Sequence, residues 1–377
     1  MKEIESSDLV MDMKFRVPLE NGIKDLFKNA LRISLYRFSF FIFLLGFTIK
    51  QLKAIKLRKK KQKEGIIVPP FMIVSVTSRC NLNCVGCYSK INHDPSKTEM
   101  TDSELISVLS QAEKLGTSIS LLAGGEPLQR FDLLSVTRHF PNMLFPLFTN
   151  GMLIDKYLLK QIKKQPNVIP ILSIEGSEDH TNKRRGNNVH QNAINVMDML
   201  QDNKIFFGIS FTVTNENIST ITDYSYLDSL SRNGVKVFFY NEYVPFEPGT
   251  ENLCLSKKER IVLENKLNIL RSQFSALFIS FPGDESQFGG CLSAGRGFFH
   301  VNPSGELEPC PFAPYSTDSL KDVPLAEALQ SRFLKTIRDN HDSLSEDQGG
   351  CALWNNRQWV EEIVSTGSIP IKIKSDN

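Results

Sequence analysis

Three cysteines stand close together in CNLNCVGCY (80–88): Cys80, Cys84 and Cys87. Thiolates bind soft metals and hold iron–sulfur clusters, whereas a structural zinc site would more often show paired C-x2-C elements and four ligands. No fourth cysteine lies near, so C-x3-C-x2-C describes three thiolates converging on one cluster face with a corner left open. Cys291, Cys310 and Cys351 form a second, wider group, and Cys254 stands apart. Seven cysteines at odd spacing, with no cleavable signal peptide in view, point to metal binding or catalysis in a reduced compartment rather than to secreted disulfides.

The surrounding rhythm says what would position these groups. Short apolar, β-branched runs recur at 71–78, 118–124, 144–150, 168–176, 206–214 and 235–243. Helical patterns lie between them. TDSELISVLSQAEKLG (101–116) opens on Thr101 and Glu104 as a capping box, carries Leu105, Leu109 and Ala112 as its stripe, and stops at Gly116. Ala193, Val196, Met197 and Leu200 repeat that spacing. The alternation predicts an α/β fold with a parallel sheet of six strand–helix units, too few for the eight-stranded barrel, hence a partial barrel or an open sheet. In either case chemistry belongs at the C-terminal ends of the strands. Cys80 comes directly after the first strand, which places its loop on that rim.

After residue 250 the pattern changes. Residues 256–274 form a helix with Leu263, Leu267, Leu270 and Phe274 on one face, and GFFHVNPSGELEPCPF (297–312) reads as a hairpin turning at Pro303-Ser304-Gly305. The expected organisation is an N-terminal segment (1–66), a core domain (67–284) and a small α+β domain (285–377).

The N-terminal segment is unlike the rest. Ile23, Leu26, Phe27 and Leu31 have amphipathic helical spacing. FSFFIFLLGFTI (38–49) comes next, and then residues 50–65, with eight Lys or Arg against one Glu. Twelve uncharged residues are short for a membrane span, which needs about 20. An interfacial helix and a minimal anchor both fit, so the segment is expected to associate with a membrane, the alternative being a buried or dimer-forming helix. If the segment reaches a membrane, the flanking positive charge places the adjoining domain on the cytoplasmic side. Elsewhere charge is balanced, at +2 overall, which gives no reason to expect nucleic acid.

CNLNCVGCY resembles the signature of the radical S-adenosylmethionine (SAM) superfamily, whose core is a partial (β/α)6 TIM barrel. The resemblance implies that Cys80, Cys84 and Cys87 hold a catalytic [4Fe-4S] cluster, that its open iron binds SAM, and that Tyr88 lies against the adenine side. LLAGGEPL (121–128) resembles the family's GGEP motif through Gly124, Gly125, Glu126 and Pro127. Glycines let backbone approach a ligand closely, and carbonyls or the Glu126 carboxylate can receive an ammonium group. FTNG (148–151), with Asn150, and LSIEG (172–176) resemble family patterns at later strand ends. They imply that Ser173 and Glu175 face SAM's ribose or methionine end. In HTNKRRG (180–186), Arg185 is either a carboxylate partner or a tie between helix and loop; Thr212 is a weaker candidate.

The C-terminal pattern C-x13-G-x4-C, from Cys291 through Gly305 to Cys310, resembles SPASM and twitch domains, the auxiliary-cluster extensions of this superfamily. With only Cys351 downstream, one auxiliary [4Fe-4S] cluster on a twitch-like domain fits the count, with Cys291, Cys310 and Cys351 as its metal ligands. Trp354 occupies the position where some twitch domains place a further cysteine. Cys254 is another candidate ligand, although a small buried hydrophobe is the commoner role. His300, in the hairpin, reads as packing. The resemblance further implies a ferredoxin or flavodoxin electron donor and a peptide, lipid or small-molecule substrate. The competing reading is a membrane-associated iron–sulfur relay or sensor that does not turn over SAM.

Overall fold

The computed structural model describes residues 28–31, 33, 38–92, 94–281, 283–285, 289–344 and 351–366. The spacing at 23–27 lies outside them. Within them, one twisted sheet of ten strands runs in the order β10-β9-β8-β1-β2-β3-β4-β5-β6-β7. Its strands are β1 Phe71–Ser75, β2 Ile119–Ala123, β3 Phe145–Thr149, β4 Val168–Ser173, β5 Gly208–Val213, β6 Val237–Glu242, β7 Leu277–Phe281, β8 His300–Val301, β9 Glu306–Glu308 and β10 Asp318–Ser319. Neighbours from β1 to β7 are all parallel. The α/β partial barrel is therefore as expected, with two parallel strands, β7 and the short β8, beyond the six units counted.

Helices cover the outer face. Asp102–Leu115 carries the anticipated capping box, Thr101 with Glu104, and ends at Gly116 in the left-handed region (φ 106°). Helix Lys257–Gln273 is capped in the same way by Ser256 and Glu259. Leu105, Leu109, Ala112, Val196, Leu200, Leu263 and Leu267 are buried in the layer between helices and sheet.

The C-terminal hairpin joins the same sheet. β8 pairs in parallel with β1, and β9 returns antiparallel to β8, turning through Gly305 (φ 88°). His300 is buried, with Nδ1 2.7 Å from Glu308 Oε2 and Nε2 2.8 Å from Ser75 Oγ, so it ties the hairpin to β1. Between β7 and β8 the barrel has no ladder. Phe298 bridges the gap instead, against Phe281 (centroids 5.0 Å) and Phe71 (5.8 Å).

The helix Phe38–Lys63 closes the opposite end. Phe40, Leu44 and Phe47 pack on Leu144, Ile169, Phe206 and Val237, at the N-terminal ends of β3 to β6, and Phe40 stacks on Phe206 at 4.0 Å. No helix among the described residues is long and apolar enough to cross a membrane.

Candidate functional site

The cysteine loop is fixed at its base by a buried turn of backbone. Gly125 N donates to Thr77 O (2.7 Å) and Glu126 N to Arg79 O (2.8 Å). A Cβ on Gly125 would stand 2.2 Å from Arg79 O, and one on Gly124 2.3 Å from Thr77 O, so the two glycines let strand ends meet. They bring β2 into close approach with the loop that carries Cys80, and both also line the cavity. Glu99 secures the same turn, accepting from Ser78 N (2.7 Å), Ser78 Oγ (2.6 Å) and Thr77 Oγ1 (2.9 Å). Burial pushes its carboxyl up, but the hydrogen bonds from Ser78 and Thr77 outweigh this and hold it below the usual range.

The resulting pH dependence has a definite sign. A depressed carboxyl contributes stability that is complete above its unfolded value, about pH 4.3, and is lost as pH falls through the lower folded value. Protonation of Glu99 on acidification should therefore lower the protection of the Ser78 amide relative to its intrinsic exchange rate at the same pH, and Glu99→Gln should show low protection on both sides of that transition.

Further along the loop, Val85 N donates to Arg184 O (2.9 Å) and Gly86 N to Glu247 Oε2 (2.7 Å). Gly86 is left-handed (φ 63°), and a Cβ there would run into the Tyr243 hydroxyl. Cys80 is exposed, while Cys84 and Cys87 are half-buried. Although Cys80 is exposed as a residue, partial enclosure of its sulfur by the loop pushes the thiol up to about 11 against a hydrogen bond from Leu82 N, with smaller upward contributions from Glu126, Cys84 and Cys87. Burial also raises Cys84, against the pull of Arg185 and Arg184. Together the three thiols line one end of a cavity of about 410 Å³.

Among the described residues, no three His, Cys, Asp or Glu side chains are grouped around a single-ion site. Thiolates on a cubane each take a different iron, so ligands spread along a loop suit a cluster. The donor set fits in a second respect. Arg184 lines the cavity, and its Nε is buried with no hydrogen-bond partner.

The other candidates divide into two groups. Tyr88, Gly124, Gly125, Glu126, Asn150, Ser173, Arg185 and Thr212 all line the cavity. Pro127 and Glu175 are not part of that lining. Pro127 is buried and starts a turn of 3-10 helix behind the motif. Glu175 is buried and accepts from Arg184 Nη1 (2.6 Å), Arg185 Nε (2.7 Å) and Thr212 N (2.7 Å). Arg185 is thus a tie as well as a lining residue. Burial raises the Glu126 carboxyl despite hydrogen bonds from Asn150 N (2.8 Å), Thr149 Oγ1 (2.7 Å) and Leu128 N (3.1 Å). Those bonds lock the end of β3 to the end of β2. Asn150 also donates to Asn81 Oδ1 (2.8 Å) within the cysteine loop.

Sequence reasoning missed Arg184, Glu247, Asn81 and Asn241. Only the double arginine of HTNKRRG signalled the first. Asn241 donates to Ser210 Oγ (2.7 Å) on the inner wall.

Cys310 and Cys351 are buried and Cys291 half-buried. Burial pushes the Cys310 thiol up, and Cys351 and Cys291 push it further, which places the three in one electrostatic neighbourhood. Burial likewise raises Cys351, with Cys291 next and Glu285 contributing. Cys254 stands elsewhere: burial raises it to about 11, and its charged neighbours are Glu242, Arg260 and Glu251. Trp354 packs on Phe246 (4.4 Å), with the Arg357 guanidinium 4.6 Å over its ring, so that position is one of packing. Phe246 and Phe312 in turn flank Tyr88, joining the C-terminal region to the cysteine loop.

Residues 74–224 match the radical SAM superfamily. Over 301 residues the chain is 25% identical to the AdoMet-dependent heme synthase of Methanosarcina barkeri, covering 72% of this chain and 85% of that protein. It is 21% identical over 329 residues to the PqqA peptide cyclase of Bradyrhizobium diazoefficiens, covering 84% and 81%. Among solved structures, Streptococcus suis SuiB bound to S-adenosylmethionine shares the fold at a TM-score of 0.62 and 16% identity, over 74% of this chain and 70% of that one.

Proposed function

Because the chain belongs, through residues 74–224, to the radical SAM superfamily, we propose that it is an enzyme that cleaves SAM reductively and takes a hydrogen atom from a substrate held in its barrel. The observation that carries this reading is the trio Cys80, Cys84 and Cys87 at the mouth of the 410 Å³ cavity, with GGEP backbone gripping the loop beneath them. When bound, the [4Fe-4S] cluster and SAM supply the chemistry: one electron splits SAM into methionine and a 5′-deoxyadenosyl radical, which becomes 5′-deoxyadenosine on taking the hydrogen.

The chain's own residues do the positioning. Cys80, Cys84 and Cys87 would hold the cluster through their thiolates and, being three, would leave a coordination place for SAM. Arg184 offers its unpartnered Nε to an acceptor, and Ser173, Thr212 and Asn150 present polar groups along the rim. Tyr88, wedged against Phe246 and Phe312, gives a rigid apolar wall on the adenine side.

Cys291, Cys310 and Cys351 hold one auxiliary [4Fe-4S] cluster in this reading, supported by their shared buried neighbourhood and by the PqqA peptide cyclase likeness. Electrons come from a ferredoxin or flavodoxin. The helix Phe38–Lys63 exposes Ile42, Leu45, Ile49 and Leu52, and most of its lysines follow them. That stripe supports peripheral contact with an anionic membrane face, which is the cytoplasmic one. By their names, relatives make heme, cyclise a peptide or cyclise GTP, so names alone select no substrate.

Anaerobic reconstitution tests the reading. Wild-type protein should hold about eight irons per chain and a Cys80/Cys84/Cys87→Ala triple variant about four. Only the wild type should form 5′-deoxyadenosine with dithionite and SAM. Full iron loading without SAM cleavage would favour the relay or sensor.

A further inference from the structure

The interior of the barrel identifies a substrate class. The cavity runs from Cys80, Cys84 and Cys87 at the C-terminal rim to Ala30, Phe40 and Leu44 at the closed N-terminal end. Its walls between these ends are Ile73, Leu121, Phe148, Ile171, Phe239 and Ile279, from six different strands. The charged residues that line it are Glu126, Arg184, Arg185 and Glu242, all at or beyond the C-terminal ends of their strands. Among the described residues, the wall below that rim carries no charge.

Barrels of this kind usually fill their interior with interlocking side chains. Here an apolar space remains, and water finds too few hydrogen-bond partners in it to be a comfortable tenant. A peptide backbone would bring N–H and C=O groups that the lower wall cannot satisfy, each at a desolvation cost. A tetrapyrrole would need a wide slot and partners for its carboxylates, while the cations stand only at the rim. A long aliphatic chain asks for nothing but apolar contact along its length. Phe298 packs against Phe281 and Phe71 between β7 and β8, and the helix Phe38–Lys63 packs across the base, so among the described residues the space is bounded there and has the thiols at its other end.

We infer that the barrel lumen binds the aliphatic chain of a lipid-like substrate, acyl or prenyl, with its polar end turned towards the rim beside Ser210 and Asn241. The inference rests on the radical SAM reading for its chemistry, but binding itself requires neither SAM nor reduction.

The test is equilibrium dialysis of radiolabelled dodecanoic acid against the full-length reconstituted protein, with SAM cleavage measured on the same samples. Saturable binding of one molecule per chain is expected. Competing n-alkanols should bind about four-fold tighter per added methylene, up to the length that fills the lumen, and farnesol competing better than the alkanols would identify the chain as prenyl. Leu121→Trp and Ile279→Trp, which fill the lumen, should each weaken binding at least ten-fold, while exposed Phe131→Ser should leave it unchanged. Absence of saturable binding to cluster-loaded wild type would overturn the inference. So would affinity indifferent to chain length, or stronger displacement by hemin or an unstructured peptide than by any alkanol. The wild-type length series decides the matter even if a tryptophan variant fails to fold. SAM cleavage, read separately, reports on the enzyme reading alone.

Discussion

Replacing Glu175 with alanine should destabilise the protein by about 3–5 kcal/mol, because it strands two half-buried arginines around a buried position. The Glu175 side chain is 2% exposed, against 18% for Arg184 and 11% for Arg185. One carboxylate serves two guanidinium groups, and its second oxygen also receives Thr212 N. The cluster therefore keeps a net positive charge beside Cys84, which the two arginines pull down against burial. Glu175→Gln keeps the shape but loses the charge, so it should lose most of the same stability. Adding Arg184→Met to Glu175→Gln should recover part of the loss, since one of the stranded cations is gone; that coupling is the signature of the ion cluster. Urea denaturation with unchanged slope reads each value. Glu175→Ala within about 0.5 kcal/mol of wild type would show that the clamp on β4, β5 and helix Glu178–Arg185 lies elsewhere.

The rest of the rim was legible from sequence to differing depths. Thr101, Glu104, Gly116 and the Pro303-Ser304-Gly305 turn act within a few residues of themselves, and each does what its local chemistry predicts. The cysteine loop and GGEP were legible because both sit immediately after strands, and the end of a strand fixes where the next few residues must lie. Glu175 was recognised as part of the rim, but its partners were not, since nothing local says whether an acidic side chain turns to solvent, ligand or arginine. Glu247, which receives Gly86 N across 161 residues of chain, carries no local signal at all. Nor could spacing separate Arg184 from Arg185: neighbours on a helix diverge by its geometry, and only packing shows that Arg184 keeps an unpartnered donor.

Phe47→Ala should cost about 3–5 kcal/mol in detergent-free buffer, although Phe47 belongs to the most membrane-like stretch of the chain. An anchor for lipid would give the opposite outcome, with folding unaffected and membrane binding weakened. The reason lies in the two faces of helix Phe38–Lys63. Phe40, Leu44, Phe47, Gln51, Ala54 and Arg58 recur at helical spacing on the inner face, and all are buried. Polar groups pin that face to the turn before β2, where Gln51 Oε1 accepts from Ser118 Oγ (2.6 Å) and Arg58 Nη1 donates to Gly116 O (2.7 Å). Ile42, Leu45, Ile49 and Leu52 occupy the outer face and are exposed. With apolar residues all round its first half, the helix gives no amphipathic signal to separate plug from anchor. Its partners, drawn from β3 to β6, lie about 100 to 190 residues away. Leu45→Asp with Ile49→Asp on the outer face should therefore leave stability within about 0.5 kcal/mol and abolish flotation with anionic vesicles. Phe47→Ala should lower stability and open the base of the lumen, loosening its grip on dodecanoic acid. If both variants unfold alike, the outer stripe is covered by protein rather than by a membrane face. If neither changes stability, the helix is not the floor of the barrel.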